Sequence, residues 1–219
     1  MLEGGEGVDT VYGGDGADTI DGGVDDDQLF GDAGADTIDG GLGNDDILGG
    51  AGGDTITGGE GLDVVSGGDG ADDIYGDAGN YVLAGDCGDD TLTGGLGNDA
   101  IDGGAGVDIA VFAGNMGDFT FAAAADGTLT VTDTNTTTAL GVDTVSGVET
   151  LRFNDGDLTV TTLANGSVTL TGGAGADDIT VVGATPITLQ GGLDNDILTG
   201  GLGDDRIRSE EHTSELQSP

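Results

Sequence analysis

Aspartate recurs at one fixed place through the first half of the chain. The stretch Gly13–Asp21 reads GGDGADTID, and close copies of it follow at intervals of nine residues. Counted from Gly4, glycine holds the first place of twelve consecutive units, and aspartate holds the sixth place in eleven of them. Only Tyr81 interrupts that series. If the chain coils regularly, carboxylates at a constant interval meet in space, so the pattern predicts a repeated site of concentrated negative charge.

Each unit joins a flexible segment to a short apolar one. The first six residues are rich in glycine and are predicted to form a turn. In the last three residues, an aliphatic side chain at the eighth place lies between small or polar ones, which predicts a short strand facing a narrow core. Two consecutive units, with two turns and two strands, would make one coil. Stacked coils would give two parallel sheets, so the predicted fold class is all-β.

The charge of the chain requires a counterion. It carries 43 acidic residues against three basic ones, a formal charge of −40. This balance argues against nucleic acid and anionic membranes as partners, since both need a basic surface, and no apolar run approaches the length of a membrane span. Sixth-place aspartates two units apart would stack at about 5 Å and repel by roughly 3 kcal/mol at an effective dielectric near 20. A cation between the turns would relieve that repulsion.

The available ligands favour calcium. Carboxylates and the backbone carbonyls of glycine-rich turns are hard oxygen donors, which suit the six to eight ligands of Ca²⁺. Magnesium would need stricter octahedral geometry and more water. Zinc would need histidine or cysteine, and the repeats contain one cysteine and no histidine. The residues therefore predict a ladder of calcium sites.

The repeats also resemble a known family. GGDGADTID, GGLGNDDIL, GGLGNDAID and GGLGDDRIR are similar to the nonapeptides of the RTX, or haemolysin-type calcium-binding, repeat. The resemblance covers Gly4–Val111 and returns at Gly172–Arg208. It implies a right-handed parallel β-roll with Ca²⁺ between successive turns, export by bacterial type I secretion, and calcium-driven folding outside the cell. The calcium ligands that it implies are Asp9, Asp18, Asp27, Asp36, Asp45, Asp54, Asp63, Asp72, Asp90, Asp99, Asp108, Asp177, Asp196 and Asp205.

Pairing the aspartates predicts the number of ions. Pairs two units apart give about eight Ca²⁺ in the first repeat block, three on one side of the roll and five on the other. The two pairs that involve Tyr81 are predicted to be weak or empty. Aspartate also replaces glycine in the turns, which predicts strain or altered affinity there, at Asp25, Asp32, Asp77 and Asp86.

The chain divides into four predicted regions. Residues 1–111 form the β-roll, and 112–171 alternate apolar and polar residues like a β-rich, sandwich-like or capping module inserted in it. A second short repeat block occupies 172–207. Residues 208–219, with the single histidine His212, resemble a translated sequencing adapter and are predicted to be an artefact. We expect the natural chain to be a fragment of a larger polypeptide.

Two classes of function remain. The first is a calcium-binding module whose folding is coupled to secretion, in an extracellular protein without a cleaved N-terminal signal. The alternative is the non-catalytic C-terminal part of a secreted hydrolase, of metalloprotease or lipase type, or of an RTX adhesin. Neither HExxH nor GxSxG occurs in the sequence, so no enzymatic activity is predicted for this chain.

Overall fold

Almost every regular element is a β-strand. The computed structural model describes residues 1–135, 137 and 140–209, so the predicted artificial tail lies outside the described residues from position 210 onward. The strands of the first repeat block are β1 Leu2–Glu6, β2 Thr10–Asp15, β3 Thr19–Val24, β4 Gln28–Ala33, β5 Thr37–Leu42, β6 Asp46–Ala51, β7 Thr55–Gly61, β8 Val64–Asp69, β9 Asp73–Gly79, β10 Val82–Cys87, β11 Thr91–Thr93, β12 Ala100–Asp102 and β13 Ile109–Val111. The later elements are a 3₁₀ turn η1 Met116–Asp118 and strands β14 Phe119–Ala123, β15 Leu129–Asp133, β16 Val142–Ser146, β17 Thr150–Phe153, β18 Gly156–Thr162, β19 Val168–Thr171, β20 Asp178–Val181, β21 Ile187–Gln190, β22 Ile197–Thr199 and β23 Arg206–Arg208.

Alternate strands belong to opposite sheets. In the first block, odd-numbered strands form one sheet and even-numbered strands the other, and every neighbouring pair is parallel. The register shift between neighbours is two nonapeptide units, as in Ile20↔Ile38 and Leu29↔Ile47. The predicted all-β parallel solenoid with two units in each coil is therefore confirmed.

The strands are longer than the sequence pattern predicts. From β2 to β10 each strand takes the last three places of one unit and at least the first three of the next, so only places four to six turn. The prediction of a six-residue turn was wrong. The second-place glycines keep a left-handed φ, for example 107° at Gly23, yet pair in register with Gly41 of the next coil. The same places of alternate units stack on each other, so the irregular backbone repeats in every coil and its hydrogen bonds continue.

One aliphatic side chain per half-coil fills the core. The eighth-place residues from Ile20 to Ala110 are no more than 2% exposed. Leu2 and Val11, in the first coil, are only partly buried because no coil covers them. This narrow column is the predicted core.

The inserted region continues both sheets. β16 pairs in parallel with β12, and β17 pairs in parallel with β13. Each sheet then contains one reversed strand, β15 in one and β18 in the other, with antiparallel partners on both sides. Four phenylalanine rings, with centroids 5.2 to 6.0 Å apart in contacting pairs, widen the core here: Phe112, Phe119, Phe121 and Phe153.

The second repeat block stacks on the far side of the insert. β20 pairs in parallel with β14, and β21 with β19. β23 follows β21 at the regular shift of two units, as in Leu189↔Ile207, whereas β22 follows β20 at a shift one residue longer, as in Ile179↔Leu198. The described chain is thus built on two sheets of 12 and 11 strands. The proposed division into domains stays a prediction.

Candidate metal centre

The predicted ligands lie along two edges of the roll, where the turns enter the strands. We call the edge that leads into the 12-stranded sheet the continuous edge; its sixth-place residues are Asp18, Asp36, Asp54, Asp72, Asp90 and Asp108. We call the other the interrupted edge; its sixth-place residues are Asp9, Asp27, Asp45, Asp63, Tyr81 and Asp99. Stacking therefore brings together the aspartates of alternate units, as predicted.

These aspartates are buried although they are acidic. Asp27 is 2% exposed, Asp99 3% and Asp108 0%. Asp9 and Asp18, at the open end of the roll, are only partly buried. A carboxylate in such a position needs a partner for each of its oxygens.

From the second coil onward, one oxygen of each carboxylate has a partner within the stack. The backbone N–H of Asp9 donates to Oδ1 of Asp27 at 2.7 Å, and the N–H of Asp90 donates to Oδ1 of Asp108 at 2.9 Å. The same bond links the other consecutive aspartates of both edges at 2.7 to 2.9 Å. Each of these Oδ1 atoms is thus held by the amide of the preceding coil, which fixes the orientation of the whole carboxylate.

The second oxygen is buried with no hydrogen-bond partner. Among the described residues, this holds for Oδ2 of Asp9, Asp27, Asp36, Asp45, Asp54, Asp63, Asp72, Asp90, Asp99, Asp108, Asp177 and Asp196. All twelve are ligands predicted from the sequence; Asp18 and Asp205 are the two predicted ligands outside this set. A buried ionised oxygen without a donor is costly, and a bound cation would satisfy it.

Backbone carbonyls face the same space as these oxygens. A Cβ placed on Gly49 would lie 2.6 Å from Oδ2 of Asp54 and 2.5 Å from the carbonyl oxygen of Gly67 in the next coil. Only glycine leaves this space open. The carboxylate and carbonyl oxygens around it are hard donors, so the residues present fit Ca²⁺.

The fit depends on carbonyls as well as carboxylates. Within the described ranges, no three histidine, cysteine, aspartate or glutamate side chains converge on one point. Side chains alone would therefore give too few ligands for Ca²⁺, which takes six to eight. Carboxylates from successive coils together with turn carbonyls could supply them.

Aspartate keeps the turn geometry where it replaces glycine. Asp25 has φ 80°, Asp32 69°, Asp77 78° and Asp86 70°, all in the left-handed region that glycine normally occupies. Aspartate tolerates this region better than most residues. The predicted effect of these replacements on affinity stays a prediction.

Burial opposes the negative charge of the stacked carboxylates. It raises the pKa of Asp45 to about 6, with further contributions from the charges of Asp63 and Asp27. It also raises the pKa of Asp72 to about 6, with Asp54 and Asp90 as the charged neighbours in its stack. The pKa is raised in the same direction, with burial as the largest cause, at Asp54, Asp63, Asp90, Asp99, Asp108 and Asp177. A cation at these positions would favour the ionised form.

Tyr81 fills the space that a carboxylate takes in other coils. Its side chain is 1% exposed, and its hydroxyl donates to the carbonyl of Gly59 in the preceding coil. A Cβ on Gly76 would lie 2.6 Å from the ring, where the other coils have Oδ2. Burial, followed by the charges of nearby aspartates, raises the pKa of Tyr81 to about 12, so the ring is neutral. The backbone N–H of Tyr81 still donates to Oδ1 of Asp99 at 2.9 Å.

Sequence reasoning missed two acidic residues that extend the edges into the insert. The N–H of Asp99 donates to Oδ1 of Asp143 at 2.8 Å, and the N–H of Asp108 donates to Oε2 of Glu149 at 2.9 Å. Burial raises the pKa of Asp143 to about 7. The signal was present in GVDTV and GVETL, where an acidic residue precedes an aliphatic one by two places as in the repeats.

The second block divides its predicted ligands between the edges. Asp177 and Asp196 precede β20 and β22 in the 11-stranded sheet, and the N–H of Asp177 donates to Oδ1 of Asp196 at 3.1 Å. Asp205 precedes β23 in the other sheet. Ile187 stands one coil before it in the register of β21 and β23, and its N–H donates to Oδ1 of Asp205 at 3.0 Å, as in the first block.

The fold and the site define a parallel β-solenoid with repeated acidic, oxygen-lined turns. The sequence pattern of the RTX calcium-binding nonapeptide repeat, taken in four copies, matches residues 1–29, 12–47, 21–56, 48–83, 82–110, 164–181 and 188–211. These matches cover more than half of the chain, which belongs to the RTX calcium-binding repeat family. Its repeats are calcium-binding repeats. No curated protein matches the chain. In the described residues, no helix is long and apolar enough to cross a membrane.

Proposed function

We propose that this chain is a module that folds when it binds calcium, in an extracellular protein exported by type I secretion. The observation that carries the proposal is the series of twelve buried Oδ2 atoms without a hydrogen-bond partner. RTX repeat proteins are typically secreted by the type I route, which supports an extracellular location.

The rest of the structure provides little stabilisation to offset the cost of burying these carboxylates. The first block has one buried aliphatic side chain per half-coil, and its turns contain many glycines, which lose the most conformational freedom on folding. Ions that bind only the folded form stabilise it by linkage, and several sites act together. At the low calcium concentration of a cytosol the module would stay unfolded and exportable, and it would fold outside.

We propose about eight Ca²⁺ ions in the first block, with ligands from its eleven sixth-place aspartates, and we propose Asp177, Asp196 and Asp205 as calcium ligands in the second block. Five intervals on the continuous edge and three on the interrupted edge join two aspartates through the Oδ1 bond. The two intervals beside Tyr81 lack one carboxylate and contribute no ion to this number. The proposal assigns no catalysis to this chain; enzymatic or adhesive activity would belong to a larger polypeptide.

Far-ultraviolet circular dichroism tests the proposal. In excess chelator we expect little β-signal, and cooperative recovery of it when calcium rises through the range of about 0.1–1 mM typical of extracellular modules. Magnesium at the same concentration is the control and is expected to be much less effective. An equal β-signal in chelator and in about 10 mM calcium, well above that range, would show that folding does not depend on calcium.

A further inference from the structure

We propose that Asp99 and Asp143 hold a further calcium ion at the junction between the first repeat block and the insert. This inference rests on the proposed function. The matched repeat ends at residue 110 and resumes at residue 164, so Asp143 lies outside every matched stretch. Asp143 belongs to β16, a strand of the insert.

The backbone around Asp143 repeats the geometry of a regular coil. Strand β16 pairs with β12 in the register Ala100↔Thr144, so Asp143 stands one coil after Asp99 although it lies 44 positions later in the chain. The N–H of Thr144 donates to the carbonyl of Asp99 at 2.8 Å. In the repeats, the N–H of Asp46 donates to the carbonyl of Asp27 at 2.9 Å.

The turn before Asp143 also follows the repeat. Gly141 has φ 85°, and a Cβ there would collide with the carbonyl of Gly97, as fourth-place glycines do in the first block. The N–H of Val142 donates to Oδ1 of Asn98 at 2.8 Å. Leu62 and Asn44 make the equivalent bond in the repeats at 3.0 Å. The described part of this turn, from Leu140 to Asp143, thus matches the corresponding part of a regular turn.

An unsatisfied oxygen marks the position of a ligand. Asp99 is 3% exposed, and its Oδ2 has no hydrogen-bond partner. Oδ2 faces Gly94 too closely for any side chain at that position. A Ca²⁺ ion between Asp99 and Asp143 would satisfy Oδ2 of Asp99 and bind the insert to the last regular coil.

Crystals of the whole chain grown with calcium, or soaked with terbium, test this site. We expect an anomalous difference peak within coordination distance of both Asp99 and Asp143, besides peaks between regular coils. Peaks between the regular coils with none at the junction would overturn the inference and leave the proposed function standing. No peaks anywhere, with no calcium binding in solution, would overturn both.

Substitution of Asp143 gives an independent test of the junction site. Asp143→Asn keeps the acceptor for the Asp99 amide and removes the charge, and we expect one Ca²⁺ fewer by equilibrium dialysis. The matched control is Asp126→Asn, an exposed residue of the insert, which should bind as many ions as the unmodified chain. Unchanged stoichiometry in Asp143→Asn would contradict the inference, and the crystal measurement decides the question if that variant does not fold.

Discussion

The two edges of the roll keep the same strand register although they present different side chains. On the continuous edge every turn from Asp18 to Asp108 presents a carboxylate, whereas on the interrupted edge Tyr81 replaces one of them. The strands beside Tyr81 keep the regular two-unit register, as in Leu83↔Val65 and Leu83↔Ile101. The strand register is therefore determined by the parallel strands and the column of buried aliphatic side chains. The residue in the turn decides only whether a carboxylate or an aromatic ring faces the space between coils.

The largest effect is expected from removing one carboxylate from the continuous edge. Asp54→Ala should abolish two neighbouring sites, because Asp54 is joined to both Asp36 and Asp72. For sites with a Kd of about 1 mM, two lost ions cost about 3 kcal/mol at about 10 mM calcium. Calorimetric titration should show about two ions fewer and a higher midpoint for folding. The control is Asp15→Ala, whose side chain is exposed, and an equal shift in both variants would contradict the assignment of Asp54 as a ligand.

A somewhat smaller effect is expected from closing the space beside a carboxylate. Gly49→Ala would place a methyl group 2.6 Å from Oδ2 of Asp54, and crowding of this kind costs about 1–3 kcal/mol. Gly173→Ala is the matched control, because its nearest contact would be 3.7 Å and its φ is not left-handed. Thermal unfolding in calcium should separate the two variants. Similar melting temperatures for the two variants would show that the space beside Asp54 can accept a methyl group.

Converting the interrupted edge into a continuous one should give a small net change at saturating calcium. Tyr81→Asp adds up to two sites but loses a ring that is 1% exposed and a hydrogen bond to Gly59. We therefore expect up to two more bound ions, little change in stability at about 10 mM calcium, and lower stability when calcium is scarce. Calcium titration followed by circular dichroism should show a steeper transition. A variant that binds no additional ion would show that the ring of Tyr81 does not occupy the space of a calcium site.

The smallest effect is expected from acid, which should act on both edges alike. The folded-state pKa values of Asp45 and Asp72 are raised to about 6, above the ordinary 3.8, so proton binding favours the folded form. That contribution is fully present below the ordinary value and is lost as the pH rises through about 6. In chelator, lowering the pH from neutral towards 4 should therefore recover part of the β-signal. A β-signal that stays flat or falls over that interval would contradict the burial of these carboxylates.

The periodic part of the molecule could be predicted from the sequence, whereas in the aperiodic part only the richness in β-strands could be predicted, and not the strand pairing. A repeated aliphatic residue and a repeated aspartate define the coil, the core column and the two edges without further information. The length of the strands was missed because glycine at the second place indicates a turn in an isolated unit. Its pairing with the same residue of the next coil, as in Gly23↔Gly41, appears only in the stack.

Asp143 and Glu149 were missed for a related reason. Asp143 lies 44 positions after Asp99, and Glu149 lies 41 positions after Asp108. Neither interval is the 18 residues that separate stacked aspartates in the repeats, so the periodicity does not reveal these two residues. Pairing of β16 with β12 and of β17 with β13 brings them into line. That pairing follows from the hydrophobic faces of the insert, which alternate like those of many half-buried strands and do not by themselves specify a partner.

The one reversed strand in each sheet of the insert has a consequence for how such a chain can lengthen. β15 and β18 each run against both of their neighbours, so two reversals cancel and β14 and β19 leave the insert pointing the same way as β16 and β17. The second repeat block can then resume parallel pairing on these strands. An insertion of this kind preserves strand polarity. The arrays on its two sides can therefore gain or lose whole coils independently, and the junction between them need not change.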